Sequence, residues 1–223
     1  MAAFWRGNWS PTWVLAFGLG FVALVGLARA DGERAGEFDY YVMALSWNAS
    51  WCAREGDRRG AEQCERHHDH GFTLHGLWPQ FEDGWPSFCR TSERDPSKRD
   101  TGAMADIMGS GGLAWYQWKK HGRCTGLSGQ EYLKLSRLAY ERVTRPEILR
   151  RTGKDLILPP RVIEEAFLEA NPDLSADGVT VTCRSGYVQE VRVCLTRDLK
   201  PRTCAADVRR DCSARTARFP AMR

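Results

Sequence analysis

The chain has 223 residues, 43% of them hydrophobic, with 32 Lys+Arg against 28 Asp+Glu and a formal charge of +4. That length suits one hydrophobic core and is too short to suggest two domains. The charge is too balanced to announce a nucleic-acid or membrane binder from composition, so any such function has to rest on a local site.

Residues 1–30 begin with one positive charge, Arg6, and contain no acid; they run apolar from Trp13 to Ala28 and close on Ala28-Arg29-Ala30. A charged start, an apolar middle and small residues around a cut describe a secretory signal peptide. The alternative is an uncleaved anchor, but a span wants roughly 20 apolar residues and this run is shorter. Removal leaves residues 31–223 as the folded domain and takes two arginines with it, so the formal charge falls to +2. All eight cysteines, Cys52, Cys64, Cys89, Cys124, Cys183, Cys194, Cys204 and Cys212, lie in that part. An even count in a secreted chain predicts four disulfides. No pair has the C-x-x-C spacing of a metal site, and the pairing stays open at this level.

Phe38 to Trp47 is aromatic and β-branched and reads as a buried strand. A polar loop follows from Asn48 to Asp69. Gly71 to Gln80 begins as a second strand that Pro79 stops. Residues 82–112 read as loop with a short helix near Met104 to Met108. "LAWYQWKKHG" reads as a helix ending at Gly122, with lysines in its last turn where the dipole favours cations. Ser128 with Glu131 is a capping box opening another helix, and "RVIEEAFLEANP" is an amphipathic helix closed by Asn171-Pro172. "GVTVTC" and "GYVQEVRVCL" form a hairpin across Ser185-Gly186. The tail after Leu199 reads as irregular and held by cysteines. The mixture predicts a single α+β domain with a central antiparallel β-sheet packed by helices.

Two segments carry chemistry. At about 100° per residue, Gln117, Lys120 and His121 share one helix face, Tyr116 borders Lys120, and Trp115 and Trp118 lie opposite, where they can anchor the helix. Taken alone, His121 could equally be a charged residue stabilised by the helix C-terminus. The second histidine, His75, sits in "FTLHGLWPQ", where Gly76 and Trp78-Pro79 suggest a strand end opening into a cleft. Two histidines can divide acid and base roles near neutral pH, and Lys120 could receive the negative charge of a phosphoryl transition state.

"FTLHGLWPQ" and "WKKHGRC" resemble the two active-site segments of the ribonuclease T2 family of secreted endoribonucleases. "FDYYVMALSW" upstream and "TCRSGYVQEVRVCL" with "LKPRTC" downstream resemble that family too, so the likeness runs from about Phe38 to Cys212. It implies an α+β fold and the disulfides Cys89–Cys124, Cys183–Cys212 and Cys194–Cys204, with Cys52–Cys64 left as the fourth. It implies cleavage of single-stranded RNA, and not of DNA, which lacks the attacking 2′-OH. The reaction runs through a 2′,3′-cyclic phosphate to a 3′-phosphate with no metal or other cofactor. His121 would be the base, His75 the acid and Lys120 the group that stabilises the phosphorane.

The chain departs from the family at two positions. Tyr116 and Gln117 stand where the family usually has His-Glu. Tyr116 can offer phosphate a hydrogen bond but no charge, and Gln117 keeps an amide donor and acceptor but moves no proton. An active enzyme is the expectation, since both proton-transfer groups remain; an impaired RNA-binding protein on the same scaffold is the alternative. Trp78 could stack on a base or be core. Gln80 could read a base edge, where the family more often has an acid. "HHDH" at 67–70 invites a metal reading but sits in a charged loop without a second ligand cluster, so no metal is expected. The expectation is a secreted protein, taken as a monomer and periplasmic if bacterial, with no stable membrane association once the signal peptide is gone.

Overall fold

The computed structural model describes residues 33–65, 68 and 70–222. The expected signal peptide, residues 1–30, lies outside the described residues, as do His67 and Asp69 of the histidine-rich loop.

The chain enters through β1 (Tyr40–Trp47), and α1 (Asn48–Trp51) follows directly. A run of irregular helical turns leads to Cys64, which is bonded to Cys52. β2 (Phe72–Gln80) comes next, then two short helices, α2 (Lys98–Gly102) and α3 (Ala105–Met108), in the stretch that reads as loop. The longer helices are α4 (Gly111–Lys120) and α5 (Gly129–Arg142), followed by the single turn α6 (Glu147–Arg150). β3 (Leu156–Leu158), α7 (Pro160–Ala170), β4 (Val179–Arg184), β5 (Tyr187–Leu195) and β6 (Ala217–Phe219) complete the domain.

The six strands form one sheet in the order β2-β1-β5-β6-β3, with β4 also paired to β5. Every pairing is antiparallel except a single parallel pair, Tyr187 with Arg218, between β5 and β6. The three-residue strands β3 and β6 are too short to show alternation in sequence, and β6 makes the tail after Leu199 more regular than it reads. The hairpin between β4 and β5 turns at Ser185 (φ 53°) and Gly186 (φ 79°), the two left-handed residues of a tight hairpin turn. The capping box at the start of α5 is present, with Ser128 and Glu131 bonding reciprocally.

Pro79 does not stop β2. It pairs opposite Tyr41 inside the strand, and this is possible because β2 is an edge strand, where a missing N–H faces no partner. The carbonyls of that edge are instead met by α5: Tyr132 donates its hydroxyl to Leu77 O at 3.0 Å and Tyr140 to Phe72 O at 2.9 Å. A covered edge cannot template pairing with another chain.

The main core lies on one face of the sheet. Tyr41, Met43, Leu45 and Trp47 of β1 pack there with Val191, Val193 and Leu195 of β5, under Tyr132 and Leu133 of α5 and Ile163 and Phe167 of α7. Full burial of such side chains is worth about 1.5–3 kcal/mol each before ordering costs. The opposite face holds a smaller cluster, Tyr40, Val42 and Cys194 beneath Cys204, Ala205 and Val208 of the tail. The rest of that second face is polar, and the candidate site is built on it.

Candidate active site

Two breaks in strand alternation shape the polar face. In β2, Gly76 pairs with Ala44 and Leu74 with Leu45, so His75 is an extra residue, a β-bulge. The bulge lets Phe72, Leu74 and Leu77 all reach the main core while Trp78 points to the other face beside His75. In β5, Thr182 pairs with Glu190 and Cys183 with Val188, so Gln189 is a second extra residue. Bulges re-aim side chains and gather near active sites for that reason.

His75 meets β5 across the sheet. Its Nδ1 lies 2.5 Å from Glu190 Oε1, and Glu190 is 1% exposed. The other oxygen of Glu190 accepts from Arg192, at 3.3 Å from Nε and 3.2 Å from the terminal nitrogen. Burial pushes the Glu190 carboxyl up, but the hydrogen bond and charge of His75, with Arg192, outweigh it and hold the group below its ordinary value. The contact commits His75 Nδ1 to Glu190.

His121 has the opposite surroundings. α4 ends at Lys120 and His121 is its C-cap, 5% exposed. Its Nδ1 is buried without a hydrogen-bond partner. Burial, then the charges of Lys120 and His75, lower its pKa to about 3. It is therefore a neutral imidazole, not a charged residue answering the helix dipole. Lys120 is half-buried, forms no ion pair among the described residues, and keeps its ammonium available.

Trp78 joins the two histidines. Its ring centroid is 5.2 Å from each; His121 stacks on it at 27° and His75 meets it edge-on at 79°. The guanidinium of Arg192 sits 5.4 Å from the same ring. Trp78 Nε1 donates to Gln117 Oε1 at 2.7 Å, and Gln117 is 1% exposed. Gly76 makes this pairing possible, because a Cβ there would stand 2.3 Å from Gln117 Oε1 and 2.4 Å from Trp78 Nε1.

The base of α4 is tied down on three sides. Trp118 is fully buried and donates to Asp95 at 2.7 Å, which also accepts from Arg123. Phe88 N donates to Lys120 O at 2.8 Å. Cys89 bonds Cys124, three residues beyond His121. The other disulfides are Cys52–Cys64, Cys183–Cys212 and Cys194–Cys204, the pairing that the resemblance implies. Trp115, expected beside Trp118 as an anchor, is only half-buried.

The structure thus gathers His75, His121, Trp78 and Gln117, with Lys120 beside them. Tyr116 lies outside this group on the exposed flank of α4, 45% exposed. Gln80 is at the far end of β2, 4% exposed, with its Oε1 buried and unpartnered. Glu190 and Arg192 are the residues that sequence reasoning missed. Their signal was charge at two outward positions of an otherwise apolar strand. Beyond His75 the polar face opens into a cleft of about 490 Å³, walled by Ser46, Thr73, Leu113, Gln189, Glu190 and the arginines of residues 54, 59 and 184. Among the described residues, the one close grouping of metal-type ligand atoms is Cys52, Asp57 and Cys64, whose two sulfurs are bonded to each other.

Two imidazoles held in contrasting surroundings around one tryptophan, on the polar face of a disulfide-tied α+β domain, define a class: endoribonucleases that work without a metal. The chain belongs to the ribonuclease T2 family, whose model matches residues 38–204. It is 34% identical over 186 residues to a ribonuclease of Aeromonas hydrophila, covering 76% of this chain and 77% of that protein. It is 25% identical to ribonuclease I of Escherichia coli, over 89% of this chain and 88% of that one. In fold it is similar to the RNase-related protein from Calystegia sepium, with a TM-score of 0.65 at 22% identity over 82% of this chain and 98% of the other. RNase NT, solved in complex with 5′-AMP, superposes with a TM-score of 0.53 at 20% identity, over 82% of this chain and 98% of the other. No helix among the described residues is long and apolar enough to cross a membrane.

Proposed function

We propose that this ribonuclease cleaves single-stranded RNA by internal transphosphorylation, with His121 as base and His75 as acid. His121 takes the proton of the ribose 2′-OH, and the 2′-oxygen attacks the adjacent phosphorus. The bond to the 5′-oxygen breaks and that oxygen receives the proton of His75 Nε2. The products are a 2′,3′-cyclic phosphate and a 5′-OH end. Water then opens the cycle to a 3′-phosphate with the two histidines exchanging roles. DNA, lacking the 2′-OH, is not a substrate.

The observation that carries this reading is the contrast between the two imidazoles. Environments that push paired titratable groups apart assign acid and base. The desolvated His121, beside a lysine and with no partner on Nδ1, is kept neutral and ready to accept. His75 has a buried carboxylate against Nδ1, which complements the imidazolium that an acid must be. Lys120 supplies charge to the phosphorane. Gln117, whose oxygen is engaged by Trp78, offers its amide N–H groups there. Tyr116 on the rim and Gln80 at the end of β2 are left for substrate outside the reacting centre, and Trp78 is both the spacer between the histidines and a surface for a base.

Residues 1–30 and four disulfides support export, to the periplasm if the source is bacterial. The test is cleavage of single-stranded RNA in EDTA, with the ends resolved. Cyclic phosphate ends that appear in EDTA, and vanish in both His75→Ala and His121→Ala, are the expected result. Cleavage that needs added divalent metal, or that persists in either variant, sinks the mechanism. Binding of RNA without cleavage by the unmodified protein favours the impaired scaffold.

A further inference from the structure

The cleft beside His75, a space of about 490 Å³, is lined by three guanidinium groups, Arg54, Arg59 and Arg184. Arg54 and Arg59 come from the irregular turns after α1, and Glu55 holds both, at 3.2 and 2.8 Å. The Cys52–Cys64 disulfide closes this segment, and Gly56 lets it approach so tightly that a Cβ would stand 2.3 Å from Cys64 Sγ. Arg184, the last residue of β4, also lines the cleft and lies near enough for its charge to act on Arg54.

The carboxylates in the wall, Glu55, Glu62 and Glu190, offset these groups only in part. Glu55 is shared between two arginines, Glu190 is committed to His75 and Arg192, and Glu62 lies 3.8 Å from His68. Arg184 has no carboxylate partner among the described residues. The side chain of Arg54 is 9% exposed, and burial followed by the charge of Arg184 depresses its guanidinium. Two like charges facing one cavity, one of them buried, are stabilised by an anion placed between them. Guanidinium forks favour phosphate for this task.

The position says which phosphate. This step rests on the proposed roles: if His75 protonates the departing 5′-oxygen, the nucleoside carrying that oxygen enters the cleft His75 borders. A 3′-phosphate on that nucleoside then falls among the guanidinium groups that line the cleft. We propose that Arg54 and Arg184 form a phosphate subsite for the group on the 3′ side of the leaving nucleoside. The enzyme then prefers RNA that continues past the cleaved bond over a bare dinucleoside monophosphate.

The experiment compares NpN with NpNp, the same dinucleotide bearing a 3′-phosphate, in unmodified protein and in Arg184→Gln. Arg184 is exposed beside a turn, so its replacement leaves folding intact. The expected kcat/KM ratio, NpNp over NpN, is about tenfold at low salt, the size of a charge-assisted hydrogen bond. It shrinks as salt rises and collapses toward one in Arg184→Gln, with the change in KM. A ratio near one in the unmodified protein, or a ratio that survives both Arg184→Gln and Arg54→Gln, overturns the subsite. Binding of the 2′-deoxy analogues dNpN and dNpNp, which carry no nucleophile, reads the same difference without turnover. Absence of cleavage with tighter binding of dNpNp retires the catalytic reading and keeps the subsite; cleavage with equal binding of the two analogues does the reverse.

Discussion

The indole of Trp78, its ring 5.2 Å from each of the two histidine rings, donates to the buried side-chain oxygen of Gln117 at 2.7 Å. Gln117 therefore holds the ring on which His121 stacks. A glutamate at the same place could accept the same bond, with charge assistance.

Gln117→Glu is accordingly expected to keep the Trp78 contact and to hold or raise kcat, because Lys120, three residues on in the same helix, can balance the charge. Gln117→Ala is expected to leave Trp78 Nε1 unpaired, at about 1–3 kcal/mol of stability, and to lower kcat. Turnover of a dinucleotide across pH, with denaturation midpoints for both variants, checks this. A fall in kcat for Gln117→Glu with fold and KM unchanged would show that the site has adapted to the amide.

Glu190 is expected to position His75. Glu190→Gln keeps the volume but removes the charge that faces Nδ1 and Arg192. We expect kcat to fall by about tenfold or more, with KM little changed, and the alkaline limb of the pH–rate profile to move toward lower pH. A simple loss of stability would leave the shape of that profile alone, so the profile is the deciding measurement.

Gly76→Ala is expected to damage the site without touching a reacting group. The new methyl would sit 2.3 Å from Gln117 Oε1 and 2.4 Å from Trp78 Nε1, and overpacking of this kind costs about 1–3 kcal/mol. Near-ultraviolet circular dichroism should report a displaced tryptophan. Gly76→Ala with Gln117→Ala should be less destabilised than the sum of the two single variants and regain no activity; full additivity would place the strain elsewhere.

Acid is expected to destabilise the protein through His121. The folded pKa is about 3 against an ordinary 6.5. Between those values the unfolded chain binds more protons than the folded one, so stability falls as pH drops through that window, by on the order of a few kcal/mol. Glu190, held below its ordinary value, contributes in the same direction. Glu164 opposes them, because burial and then Asp211 raise its carboxyl and its protonation in the folded state is stabilising. Urea midpoints at pH 7, 5 and 4 should fall less in His121→Gln than in the unmodified protein. The acid limb of kcat/KM should also lie below the ordinary imidazole range.

Cys89–Cys124 is expected to matter most among the disulfides for activity. It closes a separation of 35 residues, worth roughly 3–4 kcal/mol on the chain-entropy model, and it pins the segment that carries Lys120 and His121. Selective removal by Cys89→Ser with Cys124→Ser should reduce kcat at a temperature where the fold, followed by far-ultraviolet circular dichroism, persists.

Much of this protein was legible along the chain because the signals concerned were local. The capping box at Ser128 and Glu131, the hairpin turn at Ser185-Gly186 and the strand around Val42 each depend on neighbours a few residues apart. The two histidine segments could be read for the same reason: each is a short run whose composition suits catalysis. The face of α4 was partly legible, since helical periodicity placed Gln117, Lys120 and His121 together.

The character of the site was decided by tertiary structure. Glu190 reaches His75 from 115 residues away, and no periodicity reveals a contact across two strands of a sheet. The bulge at His75 arises because Phe72, Leu74 and Leu77 must all enter one core, a requirement set by packing rather than by β2 itself. Burial turned His121 from a cation suited to a helix end into a neutral imidazole. It also turned Gln117 from a free polar side chain into the holder of Trp78. Pro79 could stay in its strand only because β2 became an edge. The sequence determined which groups were available; desolvation and pairing, which exist only once distant segments meet, determined their protonation and partners.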